Sequence, residues 1–350
     1  MKRALRIAAR ALLLLLVAGG LAGLVARWIL SRPAPSLQVP PVGYGSVNQL
    51  KAAYLLGALK LIDRAPPVPP GIQAETGIEY GRVDGKPLLL DLFTPEGLTR
   101  PAPLLLFVHG GGWKSGKRED YLVYTTHFAQ RGYVTASLSY RLVPKAGFPA
   151  PVEDAKCAVR WARENAARLH VDPDRIAILG GSAGGHIALM VGYAQDRPEW
   201  EGSGGHPNVS SRVAAVVNFY GPVDLTTPFA QGAGVVRDFL GGKSFQEAPG
   251  LYQAASPITY LTSNAPPTLT FHGTLDEIVP IDQADELESR LTALRVPHEY
   301  ARLEGWPHTM DVALPVNQYA KLRVEAFLRE RLGPPPAVDA PPAPATRSSP

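Results

Sequence analysis

The chain has 350 residues, 45% of them hydrophobic and 19% charged, which suits a globular protein with a sizeable core. Its net charge of +4 is uneven: the first 32 residues carry Lys2, Arg3, Arg6, Arg10, Arg27, Arg32 and no acid, leaving −2 on the other 318. A nearly neutral body gives no electrostatic case for nucleic acid. The single cysteine, Cys157, excludes an intrachain disulfide framework and a cysteine-built zinc site.

Residues 11–26 form an unbroken apolar run behind the basic start; as a helix it would extend about 24 Å, just short of a hydrocarbon core. Two readings fit, an uncleaved membrane anchor and a cleaved signal sequence. The length of the run and its weak small-residue cleavage sites favour the anchor. Because the basic residues precede the run, either reading leaves the N-terminus in the cytosol and carries the body across the cytoplasmic membrane. Residues 31–71 read as a Pro-rich spacer with one helix over 48–63, where Leu50, Tyr54, Leu55, Ala58, Leu59 and Ile62 share a side. That helix can pack on the body or lie on a membrane.

A globular domain is expected over 72–332. Strands 77–83 and 86–93 flank Asp84-Gly85, a hairpin dipeptide, and 104–108 is continuously apolar, as a strand buried on both faces should be. Helix 120–131, strand 133–139, helix 151–169, strand 175–179, a helix after residue 182, strands 213–219 and 268–271, helix 281–294, strand 298–303 and a helix ending near 332 follow. This alternation predicts an α/β fold, a mostly parallel twisted sheet with helices on both faces. Residues 222–264 break the alternation and are expected to form a cap-like insertion. Residues 333–350, rich in Pro and Ala, are expected to be a disordered tail.

The strand at 175–179 runs directly into Gly180-Gly181-Ser182-Ala183-Gly184-Gly185-His186 and then a helical pattern. Strand, sharp turn, helix is the setting in which G-x-S-x-G presents a serine nucleophile, the flanking glycines avoiding collisions with the neighbouring strand and helix. Phosphate-loop readings fail, since Ser182 occupies a required glycine position and Gly185 is followed by His186 rather than Lys. Partners belong in turns after other strands. His109-Gly110-Gly111-Gly112-Trp113 follows strand 104–108 and offers the Gly111 and Gly112 N–H groups, with that of Ala183, as oxyanion donors. Asp276 projects from the turn after strand 268–271, with Glu277, Asp282 and Asp285 as rivals. Among the histidines beyond Asp276, His298 begins a strand and His308 lies past the end of one, so His308 is the expected base. His109 and His186 are expected to steady their loops, and Cys157 to pack as a small apolar residue. Trp113 and Tyr220 are candidates for substrate contact; Phe229 and Phe239 fit a pocket or the core. No spacing suggests a metal site.

Together Val108–Trp113, Ser139-Tyr140-Arg141-Leu142, Phe148–Ala155, Gly180–Gly185, Ala255-Ser256-Pro257-Ile258 and His272-Gly273-Thr274 resemble the HGGG-type carboxylesterases of the α/β-hydrolase superfamily, near the hormone-sensitive-lipase-like and bacterial feruloyl-esterase-like branches. The resemblance implies a serine carboxylesterase that hydrolyses small or medium esters through an acyl-enzyme, with the triad Ser182, Asp276, His308 and no cofactor. One departure stands out: relatives usually have Gly-His-Gly where this chain has Pro307-His308-Thr309. The alternatives are an aryl formamidase or other amidase, and a non-catalytic binding protein on the same fold.

Overall fold

A computed structural model describes residues 36–195 and 197–337; the apolar run at 11–26 and the tail from 338 onward lie outside the described residues. One eight-stranded sheet has the order β1-β2-β4-β3-β5-β6-β7-β8, with β1 Ile72–Val83, β2 Lys86–Pro95, β3 Ala102–Val108, β4 Val134–Leu138, β5 Val171–Gly181, β6 Ala215–Phe219, β7 Thr268–Gly273 and β8 His298–Leu303. The β1–β2 and β2–β4 pairings are antiparallel and the rest parallel. Asp84 (φ 48°) and Gly85 (φ 74°) both take the left-handed conformation that a two-residue hairpin turn demands. All seven residues of β3 are buried, which explains why its sequence shows no alternation.

Helices cover both faces. α3 (Ala150–Glu164), α4 (Ala183–Tyr193) and α8 (Asp282–Ala293) bury Val159, Ile187 and Leu287 in one apolar cluster. α2 (Leu122–Ala129) and α9 (Leu314–Leu332) bury Phe128, Val324 and Phe327 in the other. A side chain of this size contributes roughly 1.5–3 kcal/mol on full burial, so the two clusters hold the sheet between them. The carboxyl ends of β3, β5, β6, β7 and β8 share one edge of the sheet, and the turns that follow them meet there.

The helix expected over 48–63 is shorter: α1 spans Val47–Leu55, and Gly57, with φ 73°, ends it. Of the expected apolar side, Leu59 is buried and Leu50 and Ala58 are partly buried, whereas Tyr54 and Leu55 are exposed, so the residues that pack do not follow one helical face. Likewise α3 stops at Glu164, and β5 starts at Val171 because His170, at φ 52°, turns the chain into it. Residues 222–264 hold three short helices, α5 (Pro228–Gly232), α6 (Gly234–Phe239) and α7 (Pro249–Ala254). Among the described residues no helix is long and apolar enough to cross a membrane.

Candidate active site

Ser182 sits between β5 and α4 with φ 55° and ψ −122°, a strained conformation held by the elements around it. Its N–H donates to the Phe219 carbonyl at the end of β6 (2.8 Å), and its own carbonyl accepts from His186 N–H at 3.0 Å. The flanking glycines are required by contact: a Cβ on Gly180 would lie 2.3 Å from the Gly184 carbonyl oxygen, and one on Gly184 2.0 Å from that of Val108. Strand, elbow and helix therefore interlock backbone to backbone.

Three strand-end turns converge on this serine. His308 Nε2 lies 3.0 Å from Ser182 Oγ, and His308 Nδ1 lies 2.6 Å from Asp276 Oδ2. The second Asp276 oxygen accepts the N–H groups of Ile278 (2.9 Å) and Val279 (2.8 Å), which fixes the carboxylate plane. His272 Nε2, bonded to the Val279 carbonyl at 2.8 Å, approaches Asp276 Oδ2 at 3.3 Å. Burial alone would push the Asp276 carboxyl up; hydrogen bonds from His272, His308 and Val279 and the charge of His308 instead hold it down at about 2. The side chain is an anion at any working pH, although none of it is exposed.

The loop after β3 lies against the elbow and lines the same cavity as Ser182. Gly111 carbonyl accepts from Lys114 N, Ser115 N and Ser115 Oγ at 3.0–3.2 Å, which fixes the turn. Gly111 and Gly112 have φ of 102° and 59°, open to glycine at little cost. A Cβ on Gly110 would come within 2.9 Å of the Gly181 carbonyl, so this loop and the elbow are in direct contact. Ala183 opens α4, where the first N–H groups have no partner within the helix. The Gly111, Gly112 and Ala183 amides thus border the same cavity as Ser182.

His109 and His186 stand away from the serine. His109 is buried and stacked on Tyr140 at 4.3 Å, with Nδ1 on the Gly110 carbonyl. His186 is fully buried, bonded through Nε2 to the Ala255 carbonyl at 2.7 Å, and burial lowers it to about 4. Glu277, Asp282 and Asp285 do not reach His308; Asp285 instead receives Tyr300 OH at 2.7 Å. Cys157 is buried, which pushes its thiol up to about 11. Among the described residues no group of His, Cys, Asp and Glu is arranged to hold a metal ion.

The cavity over Ser182 encloses about 970 Å³. Trp113 lines it and stacks face to face on Phe239 at 4.2 Å; Phe229 lines it too, whereas Phe239 is fully buried behind Trp113. Tyr220 also lines the cavity, its ring 4.7 Å from that of His308 and its hydroxyl on Asp311. Asp311 was not legible as a site residue. It is buried and accepts from both Tyr220 and Tyr124, and burial pushes its carboxyl up against those bonds. Only its position three residues beyond His308 hinted at it. Thr309, where the resemblance implies a glycine, takes φ 54° and donates from Oγ1 to the His308 carbonyl at 2.7 Å. This left-handed backbone strains a β-branched residue.

The BD-FAE family model matches residues 90–291. Esterase LipC of Mycobacterium tuberculosis is 33% identical over 261 residues, 71% of this chain and 64% of that protein. Esterase LipQ of the same organism is 33% identical over 282 residues, 77% of this chain and 65% of that protein. The chain thus spans just under two thirds of the length of these curated relatives. The solved apo form of Thermogutta terrifontis esterase 2 is similar with a TM-score of 0.66 and 27% identity, over 79% of this chain and 100% of that one. That esterase has also been solved phosphorylated by paraoxon. The family match covers β3, β5, β6, β7 and the Ser182 elbow, and with it the sheet order described above places the chain: it belongs to the BD-FAE family, on the α/β-hydrolase fold.

Proposed function

We propose that this protein is a serine carboxylesterase that cleaves small or medium esters through an acyl-enzyme. The observation that carries the reading is the continuous relay from Ser182 Oγ to His308 Nε2 (3.0 Å) and from His308 Nδ1 to Asp276 Oδ2 (2.6 Å). Ser182 Oγ attacks the ester carbonyl while His308 Nε2 takes its proton. Asp276, already anionic, fixes the tautomer with the proton on Nδ1 and stabilises the imidazolium that forms. The carbonyl oxygen, now negative, is held by the N–H groups of Gly111, Gly112 and Ala183; one such donor contributes roughly 3–4 kcal/mol in a transition state. His308 then protonates the leaving alcohol, and water, activated by the same imidazole, releases the acid. Ser182, His308 and Asp276 account for every proton movement, so this mechanism needs no cofactor. The esterase names of the relatives described above support the same reaction class.

We also propose that residues 11–26 tether the chain to the cytoplasmic membrane with the catalytic domain outside the cytosol. The support is the sequence alone, a basic start followed by an apolar run. The enzymatic reading is tested with p-nitrophenyl acetate: Ser182→Ala should lose activity by at least about 10³-fold, and a variant as fast as wild type would refute it.

A further inference from the structure

We infer that residues 41–64, a segment outside the matched family region, form a clasp that holds the His308 loop at both ends and walls one side of the cavity. The inference rests on the esterase reading for its effect on rate, and on packing alone for the clasp itself.

The first attachment lies just before His308. Tyr44 N–H donates to the Gly305 carbonyl (2.9 Å), and Trp306 Nε1 donates to the Pro41 carbonyl at 3.0 Å in a buried setting. The Tyr44 and Trp306 rings meet edge to face at 5.6 Å, and both residues are buried. The two backbones touch. A Cβ on Gly43 would lie 2.0 Å from the Glu304 carbonyl oxygen, and one on Gly305 would lie 2.4 Å from that of Tyr44.

The second attachment lies just after His308. Ile62 N–H donates to the Val312 carbonyl and Leu314 N–H to the Lys60 carbonyl, both at 2.9 Å, and Leu61 bridges Ala313 in antiparallel fashion. Between the attachments, the chain from Trp306 to Asp311 carries His308 at its centre, held from inside by Leu275 N–H on the Trp306 carbonyl, by Ser182 and Asp276 on the imidazole, and by Tyr124, Tyr220 and Asn317 on Asp311. Beyond Ile62, Arg64 pairs with Asp120 at 3.2 Å, and Leu61, Ile62 and Arg64 line the cavity together with Phe229 and Val235 of α5 and α6. A loop fixed at one end only would let the imidazole drift, and a displacement near 1 Å can cost about 10²-fold in rate. The same segment limits how long an ester group fits on its side.

The test uses the full-length chain and two esters, p-nitrophenyl acetate and octanoate. Gly43→Ala, whose added methyl wedges the two backbones apart, should lower kcat on both esters by about tenfold with KM within about twofold. Tyr44→Leu should do the same, and combining the two should cost no more than the worse single change, because both release one attachment. Ile62→Trp should lower the octanoate-to-acetate ratio of kcat/KM by about fivefold. Hydrogen exchange separates the clasp from the chemistry: amides of 304–314 should exchange about tenfold faster in Gly43→Ala while the core strands do not change. If Gly43→Ala fails to fold, Tyr44→Leu carries both measurements. Wild-type kcat and exchange in these variants would overturn the clasp, as would an unchanged ester ratio in Ile62→Trp. An inactive wild type with faster loop exchange in the variants would refute the esterase reading and support the clasp.

Discussion

Replacing Asp276 with Asn tests the relay through its hydrogen-bond arithmetic. Asp276 Oδ1 already accepts two backbone N–H groups, from Ile278 and Val279. Asn must therefore keep its carbonyl oxygen there, since an NH₂ group would face two donors. Its NH₂ then points at His308 Nδ1, 2.6 Å away in the parent, and at His272 Nε2. Imidazole can satisfy that donor only by moving its proton to Nε2, which then faces Ser182 Oγ as a donor and cannot take the serine proton. The expected loss in kcat is about 10³–10⁴-fold, the penalty of a wrong tautomer in a triad. Asp276→Ala, which leaves the tautomer free, should lose less. The same substitution has a stability signature. The native carboxyl sits at about 2 against an ordinary 3.8, worth roughly 2 kcal/mol of folding free energy. A depressed carboxylate stabilises above its unfolded pKa and loses that contribution as pH falls through the folded value. The gap in unfolding free energy between wild type and Asp276→Asn should thus be about 2 kcal/mol above pH 4 and close below pH 2. Urea titrations across this range and steady-state kinetics at pH 8 read both effects. An Asp276→Asn enzyme within tenfold of wild type, or a gap that persists unchanged at pH 2, would refute the reasoning.

Two further outcomes follow from the packing. Gly184→Ala places a methyl 2.0 Å from the Val108 carbonyl oxygen and should destabilise by about 3 kcal/mol, whereas Gly234→Ala meets nothing within 4 Å and should be within about 0.5 kcal/mol; urea midpoints compare them. Cys157, buried with its thiol raised to about 11, should be inert to Ellman's reagent in native buffer and react once in urea; rapid native labelling would contradict its place under β1.

What could be read from the sequence was whatever local geometry forces on residue choice. Strand β3 announced itself by an uninterrupted apolar run, the β1–β2 hairpin by Asp84-Gly85, and the elbow by glycines that the Val108 and Gly184 carbonyls leave no room to replace. Ser182, Asp276 and His308 were legible because each follows a strand whose carboxyl end opens on the same edge. Contacts between distant segments left no such mark. The tyrosines that hold Asp311 come from α2 and the end of β6, far apart in sequence, and nothing local distinguishes them from core residues. The segment at 41–64 looked like a spacer because its bonds to Gly305, Trp306 and Val312 run mostly through backbone groups, which any residue supplies. In 222–264 the helices are five or six residues long, too short to show a period. Exposed Tyr54 and Leu55 misled in the opposite direction, fitting a helical apolar spacing without packing on the body.

The central claim is that Ser182 becomes covalently acylated. Acid quenching of full-length protein during turnover of p-nitrophenyl acetate, followed by peptide mass spectrometry, measures this directly. An acetyl group is expected on the peptide containing Ser182, present in wild type and absent in Ser182→Ala. Turnover with no acetyl group on that peptide, or an acetyl group on another side chain that persists in Ser182→Ala, would contradict it.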